Sequence, residues 1–397
     1  MSTAPRQRDV ATIDAGRVPV SLYVHIPWCV RKCPYCDFNS HPTRGELPEG
    51  PYVAALLDDL DHERDAIAGR TIHSVFIGGG TPSLFAPASI ARLLRGIARR
   101  VDLADDCEVT LEANPGTVDA GRFAGFREAG VNRLSIGVQS FDDRMLRRLG
   151  RIHGAHDALV AARSALAAGF DGVNLDLMFG LPGQSHAGAV RDVEMALELA
   201  PGHVSYYQLT LEPNTLFHVR PPELPQDDAV TAMWDHGRSL LEGAGYAQYE
   251  VSAYAVPGRA CRHNLNYWCF GDYAGIGAGA HGKYSRADGA VVRTVKHKHP
   301  TAYLQAAGDG RLLSRRVVER RDLTVEFMMN ALRIRGGVSM ELYSARTGLP
   351  AAGLRAAIGR GRELGLLAPG VDRICPTDVG YRFVDRLVEL FLEEEAG

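Results

Sequence analysis

Three cysteines near the start of the chain have the residue type and spacing that point most directly to chemistry. Cys29, Cys33 and Cys36 form a C-x3-C-x2-C pattern. Three thiolates at this spacing hold three corners of a cubane [4Fe–4S] cluster and leave the fourth iron open to bind and reduce another molecule. A structural zinc ion needs four protein ligands, and the nearest further candidates, His25 and His41, do not stand at a usual zinc spacing. We therefore expect an iron–sulfur cluster with one open iron.

The composition is that of an ordinary globular protein of 397 residues, with 46% hydrophobic and 23% charged residues. A net charge of -3 provides no basic excess to neutralise phosphates, which argues against general nucleic-acid binding. The N-terminus is polar, and no later stretch is long and apolar enough to span a bilayer. Seven cysteines, an odd number, favour a reducing compartment over a disulfide framework. We expect a cytoplasmic protein with no membrane span and no nucleic-acid partner, and leave peripheral membrane association open.

Apolar, β-branched runs alternate with segments of helical spacing over the first 245 residues. Strands are predicted at residues 21–27, 74–78, 108–112, 133–138, 173–178 and 204–211. Helices are predicted at residues 52–68, 89–100, 120–129, 155–168, 187–199 and 227–242. This alternation indicates an α/β fold with a parallel sheet, and six units are too few for a closed eight-fold barrel. We expect a partial (β/α)6 barrel, with a doubly wound sheet as the alternative that periodicity cannot separate from it.

Polar or glycine residues follow most of these predicted strands. The cysteine loop follows the first strand and the Gly-Gly-Gly-Thr-Pro run at 78–82 follows the second. Glu112 closes the third strand, Gln139 follows the fourth and Asp176 lies in the fifth. Because sites in barrels are built where the strands end, these residues are expected to meet at one rim.

Each of these residues also has a plain structural reading. A triple glycine is most often a tight turn, although beside a cluster it suits close backbone approach to the amino group of a bound amino acid. Glu112 and Asp176 sit in apolar strands, where a carboxylate needs a partner such as a ribose hydroxyl or an ammonium group. Gln139 and Arg151 suit contacts to a carboxylate, or equally a structural role in the barrel.

The pattern changes after about residue 245. Residues 246–252 are predicted as a further strand, and 261–282 are dense in aromatics, histidines and glycines. From residue 323 the chain has a helix-turn-helix pattern, followed by strand-like runs at 366–368 and 373–375 and a last helix. This arrangement is typical of a winged helix, and the alternating charges near residues 315–322 favour a packing or lid domain over a nucleic-acid reader.

The sequence is therefore divided into four parts. We predict a flexible N-terminus at 1–18 and the partial barrel at 19–245. An extension of the barrel at 246–315 carries the loops on the substrate side, and a mostly helical, winged-helix-like domain occupies 316–397.

Taken together, the motifs resemble those of the radical S-adenosylmethionine superfamily, in the branch around oxygen-independent coproporphyrinogen III oxidase. The resemblance rests on the cysteine pattern, the Gly-Gly-Gly-Thr-Pro run, Glu112-Ala-Asn-Pro, the run from Arg133 to Phe141, and Asp176-Leu-Met-Phe-Gly-Leu-Pro-Gly. It implies that the three cysteines bind a [4Fe–4S] cluster. It also implies contacts to S-adenosylmethionine, with Tyr35 against the adenine, from Tyr23, Tyr35, Gly79, Gly80, Thr81, Glu112, Gln139, Arg151 and Asp176.

The resemblance implies a chemistry as well. The methionine part of S-adenosylmethionine binds the open iron, and an electron from the reduced cluster cleaves the C–S bond to give a 5′-deoxyadenosyl radical. Such a radical must be shielded from water by a closed barrel. The cluster also requires an electron donor.

Two features distinguish groups within this branch. The oxidases continue the cysteine motif with a further cysteine, where this chain has Phe38, so the oxidase activity is disfavoured and catalysis is left undecided. The run His263-Asn-Leu-Asn-Tyr267-Trp268 matches a motif of the HemW-like haem chaperones, in which the histidine is the suggested haem ligand. Cys261 is a rival ligand, and a hydrogen-bonded loop histidine is the plain alternative.

The function expected from this resemblance is a haem chaperone that binds a [4Fe–4S] cluster, S-adenosylmethionine and haem, and passes haem to haem-accepting proteins. The alternatives are an oxygen-independent coproporphyrinogen III oxidase of porphyrin biosynthesis and a radical S-adenosylmethionine methyltransferase.

Overall fold

The computed structural model describes residues 13–43, 45–67 and 69–392. Its strands, in chain order, are β1 (Val20–Ile26), β2 (Trp28–Cys29), β3 (His41–Pro42), β4 (Ile72–Gly79), β5 (Leu103–Ala113), β6 (Arg133–Gln139), β7 (Gly172–Phe179), β8 (His203–Gln208), β9 (Ala247–Glu250), β10 (Ala253–Ala255), β11 (Asp272–Ile276), β12 (His281–Ser285), β13 (Val291–Lys296), β14 (Leu312–Val317), β15 (Val338–Ser339) and β16 (Arg373–Ile374).

The α-helices of the same residues are α1 (Glu49–Ile67), α2 (Pro87–Ala98), α3 (Ala120–Glu128), α4 (Asp143–Arg148), α5 (Ala155–Ala167), α6 (His186–Leu199), α7 (Leu216–Val219), α8 (Asp227–Gly243), α9 (Arg262–Trp268), α10 (Pro300–Gln305), α11 (Leu323–Ala331), α12 (Met340–Thr347), α13 (Arg355–Glu363), α14 (Asp378–Arg382) and α15 (Val384–Glu389). Short 3-10 turns lie at Ala15–Arg17, Pro82–Leu84, Pro115–Thr117, Gly308–Arg311 and Ala351–Leu354.

Six parallel strands, in chain order, form the centre of the main sheet. Their order is β1-β4-β5-β6-β7-β8, and each pairs in parallel with the next. A doubly wound sheet reverses its strand order at a switch point, and these six strands do not. A chain that always winds in one direction builds a (β/α) barrel. The predicted partial (β/α)6 barrel is confirmed, and the doubly wound alternative is wrong.

The central strands are buried on both faces because helices cover one face and barrel contents fill the other. In β1 every residue except Tyr23 is buried, and in β6 every residue except Gly137. Such two-sided burial explains why these strands read as nearly continuous apolar runs. The helix α2 shows the covering side, since its apolar stripe Ile90, Leu93 and Ile97 is fully buried against the sheet core.

The extension after residue 245 borders the barrel sheet at both ends. The predicted strand at 246–252 is divided into β9 and β10, which continue the sheet antiparallel beyond β8. The strand β11 instead joins β1 in parallel, and β12, β13 and β14 follow antiparallel. The short helix α9 lies between these two parts of the chain. As a result, the loops of the extension lie beside the first barrel strand.

A second hydrophobic cluster lies in the C-terminal helices. Phe327, Leu332, Tyr343, Ile358 and Leu387 are among its buried members, and they come from α11 to α15 and the turns between them. The short strands β15 and β16 pair antiparallel. The predicted strand-like run at 366–368 forms only an isolated antiparallel bridge, Leu367 to Pro376, with Ala368 N–H donating to Cys375 O and Thr377 N–H donating to Leu366 O. The predicted run at 373–375 contains β16, which pairs with β15.

The predicted division into four parts remains a prediction. Residues 1–12, most of the N-terminus expected to be flexible, lie outside the described residues. Ile13 and Val18 of the same segment are buried in the C-terminal cluster. Within residues 13–43, 45–67 and 69–392, no helix has the length and apolar character needed to cross a bilayer.

Candidate functional site

A cavity of about 370 Å³ lies where the barrel strands end. It is lined by all the predicted site residues except Tyr23 and His263, namely Cys29, Cys33, Tyr35, Cys36, Gly79, Gly80, Thr81, Glu112, Gln139, Arg151 and Asp176. The rim predicted from the polar strand ends is therefore present. We call this space the first cavity.

The three motif cysteines share one wall of the first cavity, and each thiol has a polar neighbour. Thr81 Oγ1 donates to Cys29 Sγ at 3.3 Å, and Arg151 Nη1 donates to Cys33 Sγ at 3.9 Å. Cys36 Sγ lies 3.7 Å from the hydroxyl of Ser40. Hydrogen bonds to sulfur stabilise thiolates and tune the potential of a bound cluster.

The donor set fits a cubane with one open iron. The other cysteines, Cys107, Cys261, Cys269 and Cys375, do not line the first cavity. Among the described residues, no three histidine, cysteine or acidic side chains are close enough together to hold a single metal ion. A cubane binds each thiolate at a different iron, so its thiols stay apart from one another. Burial raises the pKa of the Cys29 and Cys36 thiols. A bound metal reverses this shift, because it binds the thiolate form.

Two positions of the glycine run leave no room for a side chain where the run approaches the cysteine loop. Gly79 has a φ of +115°, and a Cβ there would lie 2.6 Å from the imidazole ring of His25. A Cβ on Gly80 would lie 2.6 Å from the carbonyl oxygen of Trp28. The next residue, Thr81, donates its backbone N–H to the same carbonyl oxygen at 2.7 Å. The loop therefore holds the cysteine segment and leaves room for a ligand.

Two carboxylates face the first cavity without an ion-pair partner among the described residues. Glu112 accepts the backbone N–H of Gly79 at 3.0 Å, and Asp176 accepts from Asn174 at 2.8 Å and Ser135 at 3.2 Å. Neither takes part in an ion pair of the described residues. Burial, followed by the nearby charge of Asp176, raises the pKa of Glu112 to about 7, and burial also raises the pKa of Asp176. A ligand with positive charge or hydroxyl groups would satisfy both.

Further polar side chains line the first cavity near the cysteine loop. Arg151 Nη2 donates to Gly137 O at 2.7 Å and is directed toward the cysteine loop by its contact with Cys33. Gln139 has a φ of +69°, an uncommon conformation for a residue with a side chain, and its Oε1 accepts from Tyr207 at 2.7 Å. Tyr35 lies nearby, with its ring 6.5 Å from that of Phe217.

Several polar residues of this cavity were missed from the sequence. They are Ser135, Asn174, His203, Ser205 and Tyr207, and they face inward on β6, β7 and β8. The signal was present, since Asn174 stands two residues before Asp176 and therefore on the same face of its strand. In β8 the same alternation connects His203, Ser205 and Tyr207.

A second cavity, of about 990 Å³, adjoins the first. Tyr23 and His263 line it, together with the aromatic residues Tyr267, Trp268 and Tyr273. Six residues line both cavities, which makes the two spaces neighbours: Phe38, Ser40, Phe76, Gly79, Glu112 and Asn264. Phe38, at the position where the oxidase motif has its further cysteine, is thus at the junction, with 60% of its surface exposed.

His263 is held firmly on the wall of the second cavity. It lies in the first turn of α9, whose first two backbone N–H groups, of Arg262 and His263, donate to the carboxylate of Glu108 at 3.2 and 3.3 Å. The imidazole Nδ1 lies 3.2 Å from Ser74 Oγ, and the ring lies 5.0 Å from that of Phe76. Burial, followed by the charge of Arg133, lowers the pKa of His263 to about 3, so the imidazole is neutral.

Cys261, the rival of His263, faces neither cavity. Its side chain is fully buried and its thiol donates to Glu108 Oε1 at 3.3 Å. Burial raises the pKa of this thiol to about 12. A ligand in the second cavity therefore reaches His263 and not Cys261.

Tyr23 does not line the first cavity, unlike the other residues predicted to contact S-adenosylmethionine. Its hydroxyl is 3.0 Å from His25 Nδ1, and its ring is 6.3 Å from that of His263. It lines the second cavity, with Gly79 and Glu112. The contacts to S-adenosylmethionine predicted for it and for the other residues remain predictions.

Comparisons with known proteins agree with this geometry. Residues 23–196 match the radical SAM superfamily and residues 318–383 match the HemN C-terminal domain. The heme chaperone HemW of Escherichia coli K12 is 51% identical over 377 residues, which cover 95% of this chain and 99% of that protein. The heme chaperone HemW of Mycobacterium tuberculosis H37Rv is 36% identical over 94% of this chain and 95% of that protein.

A solved structure shows the same fold. The coproporphyrinogen III oxidase HemN of Escherichia coli, a radical SAM enzyme, superposes with a TM-score of 0.80 at 23% identity, over 95% of this chain and 90% of that one. The family expected from the cysteine, glycine and HNxxYW motifs is confirmed. The chain belongs to the HemW family, in the HemN-like branch of the radical SAM superfamily.

Proposed function

We propose that this protein is a haem chaperone that binds a [4Fe–4S] cluster and S-adenosylmethionine in the first cavity and haem in the second. The observation that carries the proposal is the position of His263, a buried, neutral imidazole on the wall of a large aromatic cavity. A neutral imidazole is a good axial ligand for haem iron. Relatives of nearly the same length are named heme chaperones.

In the first cavity, Cys29, Cys33 and Cys36 would hold the cluster and leave one iron open. When bound, the cluster and S-adenosylmethionine supply one-electron chemistry. The chain's own contribution is to bind and orient. Arg151 suits the carboxylate of the methionine part, and the glycine run admits its amino group. The carboxylates of Glu112 and Asp176 suit the ribose hydroxyls and the net positive charge of S-adenosylmethionine.

In the second cavity, the residues fit an aromatic macrocycle with an iron at its centre. Its volume of about 990 Å³ is at the upper end of the range of ligand pockets, about 300–1,000 Å³. When His263 Nδ1 donates to Ser74, the lone pair of Nε2 is free for iron, and the serine fixes the ring. The rings of Phe76, Tyr267 and Trp268 offer apolar contact to a porphyrin.

The oxidase and methyltransferase readings have less support. The structural likeness to the oxidase is at 23% identity and concerns the fold. Where the oxidase motif continues with a thiol, this chain places the phenyl ring of Phe38 at the junction of the two cavities.

The partners that we propose are haem, haem-accepting proteins and an electron donor for the cluster. The compartment that we propose is the cytoplasm.

One experiment separates the three functions. The reconstituted protein is loaded with haem under anaerobic conditions and mixed with an apo-haem protein, and haem transfer is followed by absorption. In parallel it is incubated with coproporphyrinogen III, a reductant and S-adenosylmethionine. We expect stoichiometric haem uptake and transfer without turnover. Formation of protoporphyrinogen IX would establish the oxidase instead, and a methylated product the methyltransferase.

The role of His263 is tested by the substitution His263→Ala. We expect haem affinity to fall about 100-fold, equivalent to about 2.7 kcal/mol, while the visible absorption of the cluster stays unchanged. Added imidazole should restore the haem spectrum by occupying the space of the lost side chain. An unaltered haem titration in this variant would remove His263 from the proposal.

A further inference from the structure

The four lysines of this chain fall into two groups. Lys283 and Lys296 are buried. Lys283 pairs with Asp272 at 2.9 Å, and Lys296 pairs with Asp59 at 2.6 Å. Lys32 and Lys298 are exposed, and both line the second cavity. All lysines that are not used inside the fold therefore lie at one cavity, although they are far apart in the sequence.

The two exposed lysines flank one short segment of the cysteine loop. Lys32 Nζ donates to the carbonyl oxygen of Phe38 at 3.0 Å. The side-chain amide of Asn39 donates to the carbonyl oxygen of Lys298 at 2.8 Å and to that of Ala278 at 2.8 Å. These contacts bring the ammonium group of Lys32 and the backbone of Lys298 to the same segment at the edge of the cavity. The ring of His41, close to this segment, lies 5.4 Å from that of His299, next to Lys298.

The carboxylates at this cavity leave both ammonium groups available. Glu326 is paired with Arg293 at 2.6 Å and with Arg316 at 2.8 Å. Glu112 lies at the junction with the first cavity, where Gly79 donates to it. Asp37 is the remaining acidic residue of the lining. Neither Lys32 nor Lys298 forms an ion pair with a carboxylate of the described residues.

The lysines and His263 belong to different parts of the same wall. The ring of Tyr23 lies 6.3 Å from His263, the hydroxyl of Tyr23 contacts His25, and His25 Nε2 lies 2.9 Å from the carbonyl oxygen of Asn39. The wall thus changes from a buried imidazole to an exposed, cationic edge. A ligand that matches it carries a metal at its apolar centre and carboxylates on one side.

We infer that Lys32 and Lys298 form a carboxylate subsite that binds the propionate groups of haem at the mouth of the second cavity. This inference rests on the proposed haem function. It orients the macrocycle, with its propionates toward solvent and its apolar edge toward Phe76 at the junction with the first cavity. Charge-assisted hydrogen bonds from ammonium to carboxylate supply the attraction.

The test compares haem with haem dimethyl ester, in which both propionates are uncharged. Both are titrated into the wild-type protein and into Lys32→Gln, Lys298→Gln and the double variant. Arg99→Gln is the matched control, because it removes one exposed cation that lines neither cavity. Cluster absorption of each variant verifies that the chain is folded.

We expect the wild type to bind haem about tenfold more tightly than the ester, a preference of about 1.4 kcal/mol. The double variant should lose this preference by weakening haem binding alone, and Arg99→Gln should keep it. Equal binding of haem and ester by the wild type, or a preference retained in the double variant, would overturn the subsite. A haem spectrum that is unchanged in the His263→Ala variant would overturn the proposed haem site itself. This outcome is distinct from a failure of the carboxylate subsite, which is measured by the preference for haem over its ester.

Discussion

The two cavities differ in how their walls are built. The first is made from the cysteine loop and from side chains of neighbouring barrel strands, several of which are hydrogen-bonded to one another. The second takes its wall from the short helix α9, from the cysteine loop, and from β1 and the strands β11 to β14, which belong to distant parts of the chain. Strand ends give a rigid arrangement suited to cofactors that stay. A wide cavity with an exposed, cationic edge suits a cargo that must leave.

The contrast also extends to charge. The first cavity has two carboxylates whose pKa values are raised by burial, and a positively charged ligand would favour their ionised form. The second has a neutral imidazole and unpaired lysines, so it attracts a metal complex with acidic substituents. Gly79 and Glu112 line both spaces, and a change there is expected to affect the two ligands differently.

The largest expected effect separates the cavities completely. In Cys33→Ser, the cluster loses one of its three thiolates, and we expect the visible absorption of the reconstituted protein to disappear. Haem binding in the second cavity should change less than about threefold, since Cys33 lines only the first cavity. Cys375→Ser is the matched control, because Cys375 lines neither cavity. An iron–sulfur spectrum that persists in Cys33→Ser would contradict the ligand assignment.

The second prediction concerns the charge of Glu112. Below its pKa of about 7 the buried carboxyl is protonated, and above that value it is ionised. Because S-adenosylmethionine carries a net positive charge, its affinity is expected to rise about tenfold between pH 6 and pH 8. Glu112→Gln should bind it about tenfold more weakly at pH 8 and without this pH dependence.

Glu112→Gln weakens ligand binding at pH 8, but it is expected to stabilise the ligand-free fold at the same pH. An unfolded chain releases the Glu112 proton near pH 4.5, whereas the folded chain keeps it until about pH 7. The free energy of unfolding therefore falls as the pH rises through this interval. Without ligand, Glu112→Gln should melt at a higher temperature than the wild type at pH 8.

The control for the binding prediction is Glu326→Gln, because Glu326 lines only the second cavity. This variant should leave S-adenosylmethionine binding unchanged. A pH-dependent affinity that persists in Glu112→Gln would assign the titration to another group.

Much of the first cavity was predictable from the sequence, because its residues follow strands whose period is easy to recognise. Gln139 and Asp176 were found in this way. Their neighbours Asn174 and Ser205 were missed because single polar residues inside apolar runs were taken as part of the strand. In the fold they face inward and hydrogen-bond across strands, Ser205 Oγ donating to Asn174 at 3.1 Å.

The second cavity was predictable only where a motif marked it. The HNxxYW motif pointed to His263, but the partners of this residue come from elsewhere in the chain. Ser74 is 189 residues away and Glu108 is 155 residues away. The position of Tyr23 beside His263 depends on α9 packing near β1 and on the parallel pairing of β11 with β1, and periodicity contains no information on either. Long-range pairing of this kind follows from the fold alone.

The smallest expected effect tests how α9 holds its histidine. Glu108 accepts the backbone N–H groups of Arg262 and His263 and the thiol of Cys261, so Glu108→Gln removes the charge that holds the start of the helix. We expect haem affinity to fall about threefold to tenfold and the electron paramagnetic resonance lines of the ferric haem to broaden, because the axial imidazole loses its fixed orientation.

A nearby carboxylate provides the control for this effect. Asp106 also contacts Arg262, but through the exposed guanidinium at 2.8 Å and not through the helix backbone. Asp106→Asn should therefore leave both the haem affinity and the line shape unchanged, and S-adenosylmethionine binding should be the same in both variants. If Asp106→Asn reproduced the effect of Glu108→Gln, the surface charge would be responsible instead of the helix start. A Glu108→Gln variant with weaker haem binding but unchanged line shape would show that Glu108 stabilises the fold without orienting His263.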